Sequence, residues 1–364
     1  MDSIEASIVL NMLSGMGPVR LRRLLDIFET PERILIARED ELKRAEGVGP
    51  EVARAIRHWE ESVDLAAELK AIEAADVTVL TKSCPNYPPL LREIYDPPIV
   101  LYCRGKILEK DRHAIGIVGT RKPSHYALEC SKKLSYQLAY SGLTVVSGLA
   151  RGIDTSAHQG ALAAKGRTIA VIGSGLNALY PAENAALADK IADGSGAVIT
   201  EFPMNRKADK QTFPMRNRII SGCSFGLLVV EAAFNSGALI SANQATEQGR
   251  TLYSIPGRID NPGAFGSNRL IQQGAKLVMD AKDILDDMNM LFRDTPELNQ
   301  SKPTASLNEV EEKIYTAIGD EPTGLDQIVT ASGLPTGTVS STLLTLEMRR
   351  LVKQLPGTRF VKLI

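Results

Sequence analysis

The sequence predicts an α/β core built on a largely parallel sheet, flanked by a helical unit on each side. Three observations carry that class. Between residues 113 and 285, short apolar runs recur: AIGIVG, LTVVSG, TIAVIG, AVITEF, FGLLVVEA, TLYSIPG and KLVM. Stretches with helical spacing separate them, such as SHYALECSKKLSYQLAYSG and DTSAHQGALAAKG. Continuous apolar runs alternating with helices are the pattern of strands covered on both faces. Outside this region the apolar period turns helical, and glycines and prolines punctuate it.

Composition bounds the rest. A chain of 364 residues with 44% hydrophobic and 23% charged residues has the makeup of a soluble protein of more than one domain. A formal net charge of −1 excludes a globally basic coat for nucleic acid but not a local basic surface. Cys84, Cys103, Cys130 and Cys223 are scattered and form no CxxC pair, which argues against a disulfide framework or a zinc site and fits a reducing cytosol. The chain opens with acids, and no apolar run approaches the roughly 20 residues needed to cross a bilayer, so a cytoplasmic protein without membrane contact is expected.

In chain order, residues 1–75 read as helical. SGMGPVRLRRLL (14–25) and EGVGPEVARAIR (46–57) repeat a Gly-x-Gly-Pro turn followed by a helix, the outline of helix-hairpin-helix copies. Such a turn holds a nucleic-acid phosphate on backbone amides or serves only as packing, and both readings stand here. Arg20, Arg22 and Arg23 lie in the first copy. Residues 76–112 form a proline-rich connector, expected to be extended with a short helical turn at LLREI. Residues 113–285 are the α/β core, and the polar, proline-containing stretch 286–307 is a linker. Residues 308–364 give three helices and a strand–turn–strand, with Pro356 and Gly357 in the turn, which is winged-helix order.

Ligands of a doubly wound sheet gather at the carboxyl ends of its strands. Those ends read Gly119-Thr120-Arg121, Ser147 to Gly152, Gly173-Ser174-Gly175, Glu201-Phe202-Pro203, Glu231-Ala232-Ala233 and Pro256-Gly257, so small residues converge where an anion would meet backbone amides. Neither a G-x-G-x-x-G fingerprint nor a Walker loop is present, and no cofactor is expected. Within NRKADKQTFPMRNRIISG (205–222), Arg206, Lys207, Lys210, Arg216 and Arg218 accompany one acid, Asp209, and one ring, Phe213. Cations that follow phosphates beside a ring that stacks on a base suit a single strand, and an exposed loop with Phe213 turned into the core is the equal alternative. His158 is expected to be a packing or surface residue and Asp154 to cap its helix. Glu201 and Glu231, at strand ends, are read as orienting arginines rather than as general acids or bases. No metal-ligand cluster or catalytic triad stands out.

Taken together, VGTRKPSHYA, SGLARGIDTSAHQGAL, GRTIAVIGSGLNALYPAEN, TEFP, FPMRNRIISG, LVVEAAFNSGALISANQATEQGR and PGRIDNPGAFGSNRLIQQGA resemble the DprA family, also called Smf, over residues 113–280. The resemblance implies an extended Rossmann-like core with helical N-terminal (SAM-like) and winged-helix C-terminal additions. It implies a non-catalytic protein that binds single-stranded DNA, forms a homodimer through the core, and loads RecA recombinase during natural transformation. Carried over residue by residue, Gly119, Thr120 and Arg121 would hold backbone phosphate and Lys210 would add charge. Phe213 would contact a base, Arg216, Asn217 and Arg218 would complete the pocket, and Ser147 and Gly148 would line the adjacent strand end. Ala182 stands where many members carry a basic residue after Tyr-Pro, so one phosphate contact is missing or supplied elsewhere.

Two rival readings remain at this level. One is a nucleoside-monophosphate phosphoribohydrolase-like enzyme of related fold, whose PGGxGTxxE signature this chain lacks. The other is a transcriptional regulator with Thr338, Ser340, Ser341 and Arg349 near DNA.

Overall fold

Along the central strands, successive side chains enter opposite layers, as the two-residue repeat of an extended backbone requires. Ile115 and Ile117 face one layer while Ala114 and Val118 face the other, and Leu228 and Val230 oppose Leu227 and Val229 in the same way. The computed structural model describes residues 1–291, 307–319, 323–348, 351–355 and 357–362. Arg349, Pro356 and residues 292–306 of the expected linker lie outside them. The chain divides into two units, Met1–Leu298 and Asn299–Ile364.

In the first unit, β1 (Thr78–Leu80), β2 (Leu101–Gly105), β3 (Ala114–Val118), β4 (Thr144–Ser147), β5 (Thr168–Val171), β6 (Gly196–Thr200), β7 (Gly226–Val229), β8 (Thr251–Ser254) and β9 (Lys276–Leu277) form one sheet. Its order is β1-β2-β6-β5-β4-β3-β7-β8-β9. All seven apolar runs of the sequence become strands, β3 to β9, and these pair in parallel. The strand order reverses between β3 and β7, the place where such sheets open a crevice. The proline-rich connector adds more than an extended segment. It supplies β1, a short helix at Pro89–Arg92, and β2, which pairs antiparallel with β6.

One layer packs the helices Thr212–Gly222, Gly237–Glu247 and Phe265–Gln272 on the sheet through Ile219, Ile220, Ala242 and Leu270. The opposite layer has two parts. Helices His125–Tyr140, Ile153–Ala163 and Lys282–Leu291 cover β3, β4 and β7 through Leu134, Ala157 and Ile284. The N-terminal helices cover β2, β5 and β6, where Tyr102, Ala170 and Val198 join Leu10, Leu24 and Ile56 in one core.

Within that helical region the two repeated turns brace one another. Gly15 and Gly47 adopt positive φ (77° and 84°), which favours glycine. The Arg20 side chain donates to the carbonyls of both Gly47 and Gly15, and Arg23 donates to that of Glu46. Arg22 lies 4.5 Å over the Tyr95 ring and donates to the Tyr95 carbonyl. The arginines of the first copy therefore stitch turns and connector together.

The second unit contains the helices Glu309–Ala317, Leu325–Ser332 and Thr336–Met348, with β10 (Thr323–Gly324), β11 (Val352–Leu355) and β12 (Arg359–Lys362) in the order β10-β12-β11. Ile314, Ile328, Val339, Leu343, Leu346 and Phe360 form its core. This is the winged-helix arrangement expected. No helix among the described residues is long and apolar enough to cross a membrane.

A buried fork secures the start of the parallel core. Arg167 reaches both oxygens of Asp111 at 2.6 and 2.7 Å, and Thr144 Oγ1 and the Leu108 amide donate to the same carboxylate. Removing the charge of Asp111 would strand a guanidinium that is only 11% exposed. Asp111→Asn is expected to destabilise the first unit by about 3 kcal/mol in urea unfolding. Glu109→Gln, which touches only the exposed Arg112 pair at 3.6 Å, should leave the midpoint unchanged.

Candidate nucleic-acid interface

The carboxyl ends of β3, β4 and β5 carry glycines because other groups occupy the space a side chain would need. A Cβ at Gly119 would come within 2.6 Å of Ile153. The turn after it is fixed by backbone bonds: the Thr120 amide donates to the Glu231 carbonyl at 2.8 Å, and the Ile153 amide donates to the Thr120 carbonyl at 3.3 Å. Thr120 Oγ1 accepts from the Lys122 amide. Arg121 projects from this turn into solvent, with its guanidinium 4.9 Å above the Phe213 ring. Phe213 in turn lies over Gly173, where a Cβ would approach the ring to 3.1 Å. Tyr180, also exposed, tilts against Phe213 at 5.9 Å between centroids. An exposed cation and an exposed ring thus flank the half-buried Phe213 ring at the rim.

Residues 205–211 lead into the helix that carries Phe213. Asp209 accepts from the Gln211 and Thr212 amides at 2.8 and 3.0 Å, and these amides hold its carboxyl below the usual range. Arg206 closes on Asp209 at 2.5 Å, while Lys210 stays exposed beside it. The segment read as a basic loop is a loop only as far as Gln211. From Thr212 to Gly222 it is a helix, and the helix decides which of its cations reach solvent.

Arg216 does not reach solvent. Its guanidinium passes under the β4 turn, where a Cβ on Gly148 would sit 1.3 Å from Nη1. Nη1 donates to the Val171 carbonyl at 3.2 Å and lies 3.8 Å from Asp154 Oδ2. Burial pulls the Arg216 pKa down and pushes that of Asp154 up, and the charge of each opposes the shift of the other. Asp154 also accepts from the Ala150 amide at 3.4 Å. It does not cap its helix as expected, since the N-cap is Gly152. His158, one turn on, is fully buried against Thr168 Oγ1 at 2.7 Å. Because Thr168 Oγ1 spends its proton on the Val145 carbonyl, His158 Nδ1 is the donor.

A family model for DNA recombination-mediator protein A matches residues 78–289, one for the DprA winged helix domain matches 299–358, and one for a SAM-like helix-hairpin-helix tandem matches 7–58. The chain belongs to the DNA recombination-mediator protein A family. Protein Smf of Synechocystis sp. is 36% identical over 96% of this chain and 96% of its own length. DNA processing protein DprA of Bacillus subtilis is 44% identical over 60% of this chain and 74% of its own. Among solved structures, DNA processing protein A (DprA) from Streptococcus pneumoniae gives a TM-score of 0.69 at 33% identity, covering 78% of this chain and 97% of that one. The Helicobacter pylori protein, described for its single-stranded DNA binding mode, gives 0.53 at 27% identity, covering 59% and 96%.

Of the residues that resemblance to the DprA family suggested, the structure gathers Gly119, Thr120, Arg121, Gly148 and Phe213 on one rim, with Lys210 in the loop leading to Phe213. Asn217 is half-buried on the Phe213 helix. Ser147 lines the strand end only from beneath, because its buried hydroxyl donates to the Ile117 carbonyl at 2.6 Å. Arg216 and Arg218 both require a correction: Arg216 is buried beneath the β4 turn, and Arg218 is likewise withdrawn. It does not complete the rim but lies buried between Glu201 at 2.6 Å and Asp96 at 3.0 Å. Burial opposes its charge, and the two carboxylates outweigh burial, so its pKa is raised. Glu201 thus orients an arginine, as expected. Glu231 does not, and instead accepts from the Ser124 amide, the Ser124 hydroxyl and Asn261 Nδ2 at 2.8, 2.7 and 3.1 Å. Tyr180 was missed, although its place before Pro181 in the YPAEN stretch was the available signal.

The buried histidine makes acid stability a test of this packing. Burial first, and the Arg216 charge second, lower the His158 pKa from 6.5 to about 3, so the unfolded chain binds the extra proton between those values. Its contribution is complete above pH 6.5 and is lost as pH falls towards 3. The slope of unfolding free energy against pH in this window should therefore include a term approaching about 1.4 kcal/mol per pH unit, absent in His158→Gln.

Proposed function

We propose that this chain binds single-stranded DNA along the rim of its parallel sheet and acts as a recombination mediator. The exposed Arg121 and Tyr180 side chains, set against the half-buried Phe213 ring, carry the reading. Bases of a single strand are free to lie against rings, whereas a duplex keeps its bases stacked inside, so this surface has more to gain from a single strand. Arg121 and Lys210 lie beside the rings, where the backbone phosphates would run.

The remaining parts of the proposal rest on family membership. The protein would load RecA recombinase onto the bound strand during natural transformation, in the cytoplasm, as a homodimer. The partners of one carboxylate weigh against the hydrolase reading. Glu231, the acid the enzyme reading needs, already accepts three hydrogen bonds from Ser124 and Asn261.

Fluorescence anisotropy with a labelled oligothymidine of several tens of nucleotides, against a matched duplex, tests the proposal. Single-strand binding should be tighter and should weaken with salt, by about 0.7 in the log–log slope for each phosphate neutralised. Arg121→Ala and Phe213→Ala should each weaken it about tenfold. Equal affinity for duplex, or wild-type affinity in both variants, contradicts the reading.

A further inference from the structure

We propose that Arg151 is a further phosphate-binding residue of this rim and that Glu183 holds it in reserve until a DNA phosphate displaces the carboxylate. The inference rests on the single-strand reading above and goes beyond it by assigning an ion pair that the sequence reading did not use. Arg151 sits in the turn after β4. The next residue, Gly152, is pressed against the Arg121 turn: a Cβ there would lie 2.5 Å from the Thr120 carbonyl oxygen and 3.0 Å from the Arg121 carbonyl carbon. The two arginine-bearing turns are therefore in direct contact.

Glu183 comes from the segment that also bears Tyr180. Asn184 pins that segment to the β4 turn by donating to the Leu149 carbonyl at 2.8 Å and to Thr155 Oγ1 at 2.9 Å. From this anchored position, Glu183 takes both prongs of the Arg151 fork, Nε to Oε1 at 2.8 Å and Nη2 to Oε2 at 2.7 Å. A strand stacked on Phe213 and Tyr180 would carry its backbone past both arginines.

Three physical points make the pair exchangeable. Both side chains are open to solvent, at 57% and 55%, so water and salt screen their attraction. The guanidinium fork fits two phosphate oxygens as well as it fits a carboxylate. A carboxylate held at the rim also repels an approaching phosphate. By contrast, Arg216 and Arg218 are buried with their acids and cannot be offered to a ligand without unpacking the core.

Exchange predicts effects of opposite sign, which a purely structural clamp does not. In a salt series with the full chain and oligothymidine, Glu183→Gln should tighten binding about threefold, because it frees the fork and removes the repulsion. Arg151→Ala should weaken binding several-fold and make the log–log salt slope shallower by about 0.7. Arg151→Lys should keep the wild-type slope with intermediate affinity, since it retains charge without the fork. Thermal midpoints of all three should match wild type. Weaker binding in both Glu183→Gln and Arg151→Ala, or no change in either while Arg121→Ala still weakens binding, would overturn the proposal. If wild type does not bind the strand at all, the reading of the rim fails first and this proposal fails with it.

Discussion

The Arg216 guanidinium starts on a helix of one layer and passes beneath Gly148 to face Asp154 on a helix of the other, 3.8 Å away. Along the way it donates to the carbonyl that ends β5. Two helical layers are thereby joined over the strand ends by one buried pair. Removing either partner would leave a desolvated charge, which typically costs several kcal/mol. Phe213 lies three residues before Arg216, on the same helical face. Fixing Arg216 therefore also fixes the ring over Gly173, and with it the stack formed by Arg121 and Tyr180. Glycine at 148 is a steric requirement of this arrangement, because even a methyl group would collide with the guanidinium.

Two groups of cations in the α/β core differ in environment and consequence. Arg167, Arg216 and Arg218 are buried beside Asp111, Asp154 and Glu201, and there they organise the fold. Arg121 and Lys210 are exposed, where a charge contributes little to stability and stays open to solvent. The switch point between β3 and β7 shows the same economy. Sheets of this kind commonly present a helix N-terminus to a pyrophosphate at this crevice. Here the Ser124 amide that opens helix His125–Tyr140 donates to Glu231 of the chain itself. That amide is thereby satisfied within the chain itself.

The sheet was legible because apolar runs alternate with helical stretches, and the most apolar of them, β3 to β7, are buried along their whole length. β1 and β2 were less visible because prolines interrupt the connector and its strands pair antiparallel at the edge. Arg121 and Phe213 could be singled out from residue type and place in the chain. Which of Lys210, Arg216 and Arg218 stays at the surface could not. That outcome depends on a helix beginning at Thr212 and turning 216 and 218 inward beside Ile219 and Ile220, and on acids at 96, 154 and 201 that lie distant in sequence. Charge counting along a segment cannot supply those partners. Tyr180 was hidden for a related reason, since only the folded chain brings its ring to Phe213.

Photocrosslinking of a bromodeoxyuridine-substituted single strand, followed by mass spectrometry of the adducts, tests the central claim most directly. The account predicts adducts in peptides containing Phe213 and Tyr180, and their loss when excess unlabelled single strand competes. Adducts confined to residues 1–75 or to the winged-helix unit, with none at the rim, would contradict it.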